Sequence, residues 1–255
     1  MKARLLPLIA VVFATGAFAN TPPLPAPPVI GATSYLVIDA TTGHSIASLE
    51  PDKQVAPASL TKLMTAYAVF RALGEGQIQL TDEVTVSEKA WRAEGSRMFI
   101  EVGKRVSVED LLLGMIVQSG NDASIALAEY VAGTESVFAE LMNQYARSLG
   151  MLSSNFVNAT GLPGDDHYST ARDLATLARA IINEFPEYYA WYSVKEFTFN
   201  EIKQPNRNNL LWRDPSVDGM KTGHTDAAGY CLVSSAQRDE TRVISVVLGT
   251  SSAKA

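Results

Sequence analysis

Met220-Lys221-Thr222-Gly223-His224, Tyr230-Cys231-Leu232-Val233-Ser234-Ser235 and Arg242-Val243-Ile244-Ser245-Val246-Val247-Leu248 follow one another near the end of the chain. Each is rich in β-branched or alternating apolar residues. Arg238-Asp239-Glu240 makes a tight turn between the last two, so the three segments predict strands. Two more β-rich runs lie at the opposite end, residues 35–40 and 45–49, joined by a Thr41-Thr42-Gly43-His44 turn. The middle has helical periodicity. Over residues 59–73, Leu60, Leu63, Met64, Tyr67 and Phe70 recur near 3, 4 and 7 spacing, which predicts a largely buried helix ended by Gly74. Ser107 is a natural N-cap for a helix running to about residue 117. Further helices are predicted over 123–131, 137–149 and 170–185. Residues 82–87 and 195–199 read as additional strands, 158–167 as a loop, and 207–215 as irregular chain. Strands at both ends around a helical middle predict an α+β fold: an antiparallel sheet built from both chain ends and packed with helices, plus a helical lobe.

The beginning of the chain is of a different kind. Lys2 and Arg4 form a basic start, residues 5–14 are an apolar run, and Ala17-Phe18-Ala19 is a small-x-small site before Asn20. This predicts a secretory signal peptide over 1–19, because the apolar run is shorter than the roughly 20 residues a membrane span needs. Residues 20–30 form a Pro-rich linker. Prolines 22, 23, 25, 27 and 28 there leave neither a helix nor an inner strand open to the chain. Residues 31–255 are left for one globular domain, a length that suits a sizeable core. The formal net charge of -6 argues against a nucleic-acid partner, which usually meets a basic face. Cys231 is the single cysteine, so no internal disulfide is possible; within its apolar run it reads as a buried small hydrophobe. Neither a His-Glu-x-x-His run nor paired cysteines occur, so no metal and no cofactor are expected.

Three short motifs carry chemistry. In Ser59-Leu60-Thr61-Lys62 the serine and lysine are three apart, which puts both on one helix face. A serine hydroxyl becomes a nucleophile when a neighbouring base takes its proton, and a lysine can be that base once its pKa is lowered. Ser119-Gly120-Asn121 sits at the break between two apolar helices and can turn a hydroxyl and an amide toward a cleft. Lys221-Thr222-Gly223 lies on a predicted strand, where alternation sets Lys221 and Gly223 on one face and Thr222 on the other. Each motif alone is common in unrelated chains. Their order and their placement on helix start, inter-helix loop and strand make them one signal.

The ordered set resembles the penicillin-recognising signature of serine β-lactamases and penicillin-binding proteins. The flanks 56–65, 118–123 and 217–225 extend that resemblance to the low-molecular-mass penicillin-binding proteins that act as D-alanyl-D-alanine carboxypeptidases. It covers about residues 35–248, and Lys221-Thr222-Gly223-His224-Thr225 looks more like a carboxypeptidase than a β-lactamase. The resemblance implies a β-lactamase/DD-peptidase-like fold and an acyl-enzyme on Ser59. Ser59 attacks the bond between two terminal D-alanines, Lys62 takes its proton, and Ser119 passes a proton to the leaving group. Asn121, Lys221, Thr222, Gly223 and His224 bind the substrate, with Asn121 on the peptide amide and Lys221 and Thr222 on the terminal carboxylate. The backbone N–H groups of Ser59 and His224 form the oxyanion hole.

The implied partners are the peptidoglycan stem peptide and β-lactam antibiotics as covalent inhibitors. The implied location is the periplasm, with inner-membrane association through a C-terminal part that this chain does not carry. Similar proteins continue past a strand like the last one here, so a truncated C-terminus is expected at Ala255. Some also carry a histidine where this chain has Thr160, and no deacylating carboxylate is recognisable in its loop. A DD-endopeptidase, a β-lactamase of the same fold and a non-catalytic peptidoglycan-binding relative are the alternatives. A Ser-His-Asp triad is disfavoured because no Gly-x-Ser-x-Gly surrounds Ser59.

Overall fold

The computed structural model describes residues 30–253. The predicted signal peptide and nearly all of the Pro-rich linker lie outside the described residues. The strands are β1 (Ser34–Asp39), β2 (Ser45–Leu49), β3 (Glu83–Thr85), β4 (Arg105–Ser107), β5 (Glu196–Phe199), β6 (Ile202–Pro205), β7 (Val217–Thr225), β8 (Gly229–Arg238) and β9 (Thr241–Thr250). The helices are α1 (Lys62–Gly74), α2 (Glu88–Trp91), α3 (Val108–Leu113), α4 (Asn121–Ala132), α5 (Glu135–Ser148), α6 (Ala171–Glu184), α7 (Pro186–Tyr189) and α8 (Leu210–Arg213).

The main sheet runs β2-β1-β9-β8-β7 with every neighbouring pair antiparallel. β9 pairs with β1 from Ser34↔Leu248 to Asp39↔Val243, so the two ends of the chain do meet in one sheet. Period-2 alternation explains its inner face: Leu36 and Ile38 of β1, Cys231 and Val233 of β8, and Ile244, Val246 and Leu248 of β9 are all buried. Helix α6 lies on that face, packed against β1 and β9. Its buried Leu174, Leu177, Ala178 and Ile181 follow helical spacing, and Thr170 caps its start by accepting from Asp173 N. Helix α1 is enclosed by α4, α5 and α6, which is why nearly all its side chains are apolar and buried.

Four expectations needed correction. The helix predicted over 59–73 begins as a separate 3-10 turn, Ala58–Thr61, before α1. Ala58, just before the predicted start, sits at φ +47 and turns the chain into this segment. The helix predicted to reach 117 stops at Leu113 and widens into a π-turn over Gly114–Gln118, where Gly120 N reaches back to Gly114 O. Residues 207–215 are not wholly irregular but contain α8. β6 was not foreseen; it pairs with β5 through Glu196↔Pro205 to Phe199↔Ile202.

Candidate active site

Ser59 occupies the 3-10 turn, where Leu60 N donates to Pro57 O. Lys62 opens α1 and is only 2% exposed, so its amine ends inside the protein. Its Nζ lies 3.1 Å from Ser59 Oγ, 2.6 Å from Asn121 Oδ1 and 2.5 Å from Thr160 O. A neutral amine has two hydrogens and one lone pair. Asn121 Oδ1 and the Thr160 carbonyl can only accept, so they take the two hydrogens, and the lone pair is left for the Ser59 hydroxyl. Burial pushes Lys62 well below the usual lysine range. The nearby Lys221 adds to that shift, and Asp122 opposes it. In its neutral form the amine can therefore present its lone pair to the Ser59 hydroxyl.

Ser119 ends the π-turn in the left-handed region, at φ +67, and so reverses the chain toward the cleft. Lys221 Nζ donates to Ser119 Oγ at 2.9 Å and to Thr222 O at 2.8 Å. Lys221 is 2% exposed; burial first, then Arg207, brings it down to about 7. Asn121 is turned inward: besides accepting from Lys62, its Nδ2 donates to Glu94 O at 2.6 Å. One amide hydrogen of Nδ2 is left over for a ligand. Next to it, buried Asp122 accepts from the backbone N–H groups of Met98, Phe99 and Ile100 and fixes that segment beside the site.

Strand β7 is pressed against the nucleophile's turn. A Cβ at Gly223 would stand 3.1 Å from Ser59 N and 3.2 Å from Leu60 N, so any side chain there would push the turn aside by a few tenths of an ångström. Ser59, Ser119, Thr222, Gly223 and His224 line a single cleft of about 1030 Å³. The His224 ring packs on Tyr230 at 4.1 Å. His44 stays in the β1–β2 turn, and His167 is buried against Thr61 rather than Ser59. Ser59 has Lys62 as its partner and no histidine.

The loop of residues 158–167 closes the site from behind. Asn158 Oδ1 accepts from Thr160 N, Gly161 N and Thr160 Oγ1, a knot that aims the Thr160 carbonyl at Lys62. Gly161 has φ +83, and a Cβ there would collide with Ala58 O and approach Thr61 Oγ1 to 2.9 Å. Asp165 and Asp166 are exposed on the outer side of this loop. Sequence reading missed the Thr160 carbonyl and Asp122. Arg207 and Gln118 were missed as well; both line the cleft and are joined by an Arg207 Nε to Gln118 Oε1 bond of 3.2 Å. Asp122 had a signal, its place in the first turn of α4, whereas a backbone carbonyl leaves none.

A family model described as D-alanyl-D-alanine carboxypeptidase matches residues 21–252. The chain belongs to this family. It is 49% identical over 245 residues to the D-alanyl-D-alanine carboxypeptidase DacC of Escherichia coli, covering 93% of this chain and 61% of that protein. The crystal structure of penicillin binding protein 5 from Haemophilus influenzae superimposes with a TM-score of 0.88 at 48% identity, over 90% of this chain and 68% of that one. Penicillin-Binding Protein D2 from Listeria monocytogenes, in its ampicillin-bound form, gives a TM-score of 0.81 at 33% identity, over 88% of this chain and 92% of that one. The chain spans about three fifths of the length of the first of these relatives. The family fold matches the α+β architecture described above.

Proposed function

We propose that the chain is the catalytic part of a serine D-alanyl-D-alanine carboxypeptidase that removes the terminal D-alanine from peptidoglycan stem pentapeptides. The observation that carries this is the buried Lys62 amine, held within hydrogen-bond reach of Ser59 Oγ, Asn121 Oδ1 and Thr160 O; when it is neutral, the two pure acceptors take its hydrogens and its lone pair meets the Ser59 hydroxyl. Ser59 Oγ attacks the carbonyl of the penultimate D-alanine as Lys62 Nζ accepts its proton. The oxyanion is met by the N–H groups of Ser59 and His224; donors of this kind are worth about 3–4 kcal/mol each. Charged Lys221, hydrogen-bonded to Ser119, relays a proton through that hydroxyl to the departing D-alanine and regains it from solvent. Thr222 and Lys221 receive the terminal carboxylate, and the spare Nδ2 hydrogen of Asn121 receives a substrate carbonyl. Water then attacks the acyl-enzyme carbonyl and gives up its protons to solvent while Lys62 returns its proton to Ser59 Oγ, which releases the shortened peptide as its carboxylate and restores Ser59 and neutral Lys62.

The same site supports acylation by β-lactams. The predicted signal peptide supports export to the periplasm with cleavage after Ala19, and a C-terminal part outside this chain would hold the protein at the outer face of the inner membrane. The activity test measures D-alanine released from a muropeptide pentapeptide. Wild-type protein releases it and Ser59→Ala does not; release by the variant at the wild-type rate would remove Ser59 from the mechanism.

A further inference from the structure

His167 has no part in the acyl-transfer chemistry, yet its ring is buried directly behind the nucleophile's turn, 7% exposed. Its Nδ1 faces the Val157 N–H at 3.4 Å, so Nδ1 is an acceptor and the ring proton sits on Nε2. Nε2 is 2.9 Å from Thr61 Oγ1, which therefore accepts from it. Phe156 stands edge-on to the ring with centroids 5.9 Å apart, and burial alone keeps the imidazole neutral, down to about 4.

Thr61 lies between Ser59 and Lys62 and is fully buried. It meets the loop of residues 158–167 twice, at Gly161 and at His167. The same loop delivers the Thr160 carbonyl to Lys62 Nζ. The loop also joins the neighbouring chain on both sides of this contact: Thr65 Oγ1 donates to Ala159 O, and Asn155 Nδ2 donates to Asp166 O. The His167–Thr61 bond is thus the side-chain link between the turn that carries the nucleophile and the loop that orients the base.

We propose that His167 is a positioning residue for acylation: by donating from Nε2 to Thr61 it holds the Ser59 turn and the Thr160 carbonyl at the spacing that keeps the Lys62 lone pair on Ser59 Oγ. This rests on the serine–lysine reading above. The chemistry it needs is one donor and one acceptor on a neutral side chain. Glutamine supplies both and leucine supplies neither.

The test follows the second-order rate of labelling by a fluorescent penicillin across pH for wild type, His167→Gln, His167→Leu and Thr61→Val, with melting temperatures alongside. His167→Leu is expected to slow acylation by about tenfold or more and to move the acidic limb of the profile, because Lys62 loses its fixed acceptor. His167→Gln recovers most of the rate. Thr61→Val, which removes the acceptor at nearly constant volume, reproduces the leucine variant without changing any residue of the loop. The proposal is overturned if folded Thr61→Val or His167→Leu labels at the wild-type rate with an unmoved profile. It is overturned equally if glutamine does no better than leucine. Failure of the underlying reading looks different: wild-type protein itself would not label at Ser59.

Discussion

The Lys62 amine meets one hydroxyl and two oxygens that can only accept, and this local inventory decides its role. Lys62→Ala leaves Ser59 without a base, and the acylation rate is expected to fall by about 10²–10⁴-fold in stopped-flow labelling while the fold persists. The two lysines also set the pH profile. Lys62 must be neutral, so the rate rises as pH passes upward through its lowered pKa. Lys221 must be charged to receive a carboxylate and to donate toward Ser119, so kcat/KM falls as pH rises through about 7. Lys221→Arg, with a guanidinium that stays charged, is expected to shift that alkaline limb upward whatever happens to the maximum rate. A limb unchanged in the arginine variant would assign it to another group. Ser59 and Lys62 were legible because i, i+3 spacing survives the change from α-helix to 3-10 turn. The Thr160 carbonyl was not legible, because any residue supplies a carbonyl and only the loop's path aims it.

Elements bring these residues together through close backbone approach. β7 lies against the Ser59 turn across Gly223, and the Asn158-knotted loop lies against it across Gly161. Gly223→Ala would force the turn aside by a few tenths of an ångström, enough to misplace the Ser59 N–H. The expected result is about a tenfold or greater loss of penicillin acylation with a small change in melting temperature. The same loop makes the fold acid-sensitive. His167 is held at about 4 when folded against 6.5 when unfolded, so only the unfolded chain takes up its proton in that window. Stability is therefore full above about pH 6.5 and falls as pH drops toward 4, by up to about 3 kcal/mol. Denaturant titrations at pH 7 and pH 4.5 should show His167→Gln losing less stability over that interval than wild type. Long periodic elements such as α5 and α6 were readable from sequence. β6 and α8 were not: each is defined by its packing against β5 or β7.

At the scale of the whole molecule, β9 is the seam between the two chain ends, flanked by β1 and β8. That was visible as β-rich runs at both termini, although the sequence did not say which strand would be central. The cleft is cationic in a chain of net charge -6: Arg207 and Arg213 are among the described residues that line it. Added salt screens such a field, so KM for an anionic stem peptide is expected to rise with ionic strength while kcat changes little. A KM independent of salt would mean these arginines do not attract the substrate. The Ser59–Lys62 pair is central to the chemistry, and covalent labelling reads it directly. Intact protein treated with a fluorescent penicillin and digested should yield one modified peptide carrying the label on Ser59, with no label in Ser59→Ala. A label on any other residue, or undiminished labelling of Ser59→Ala, would contradict the account.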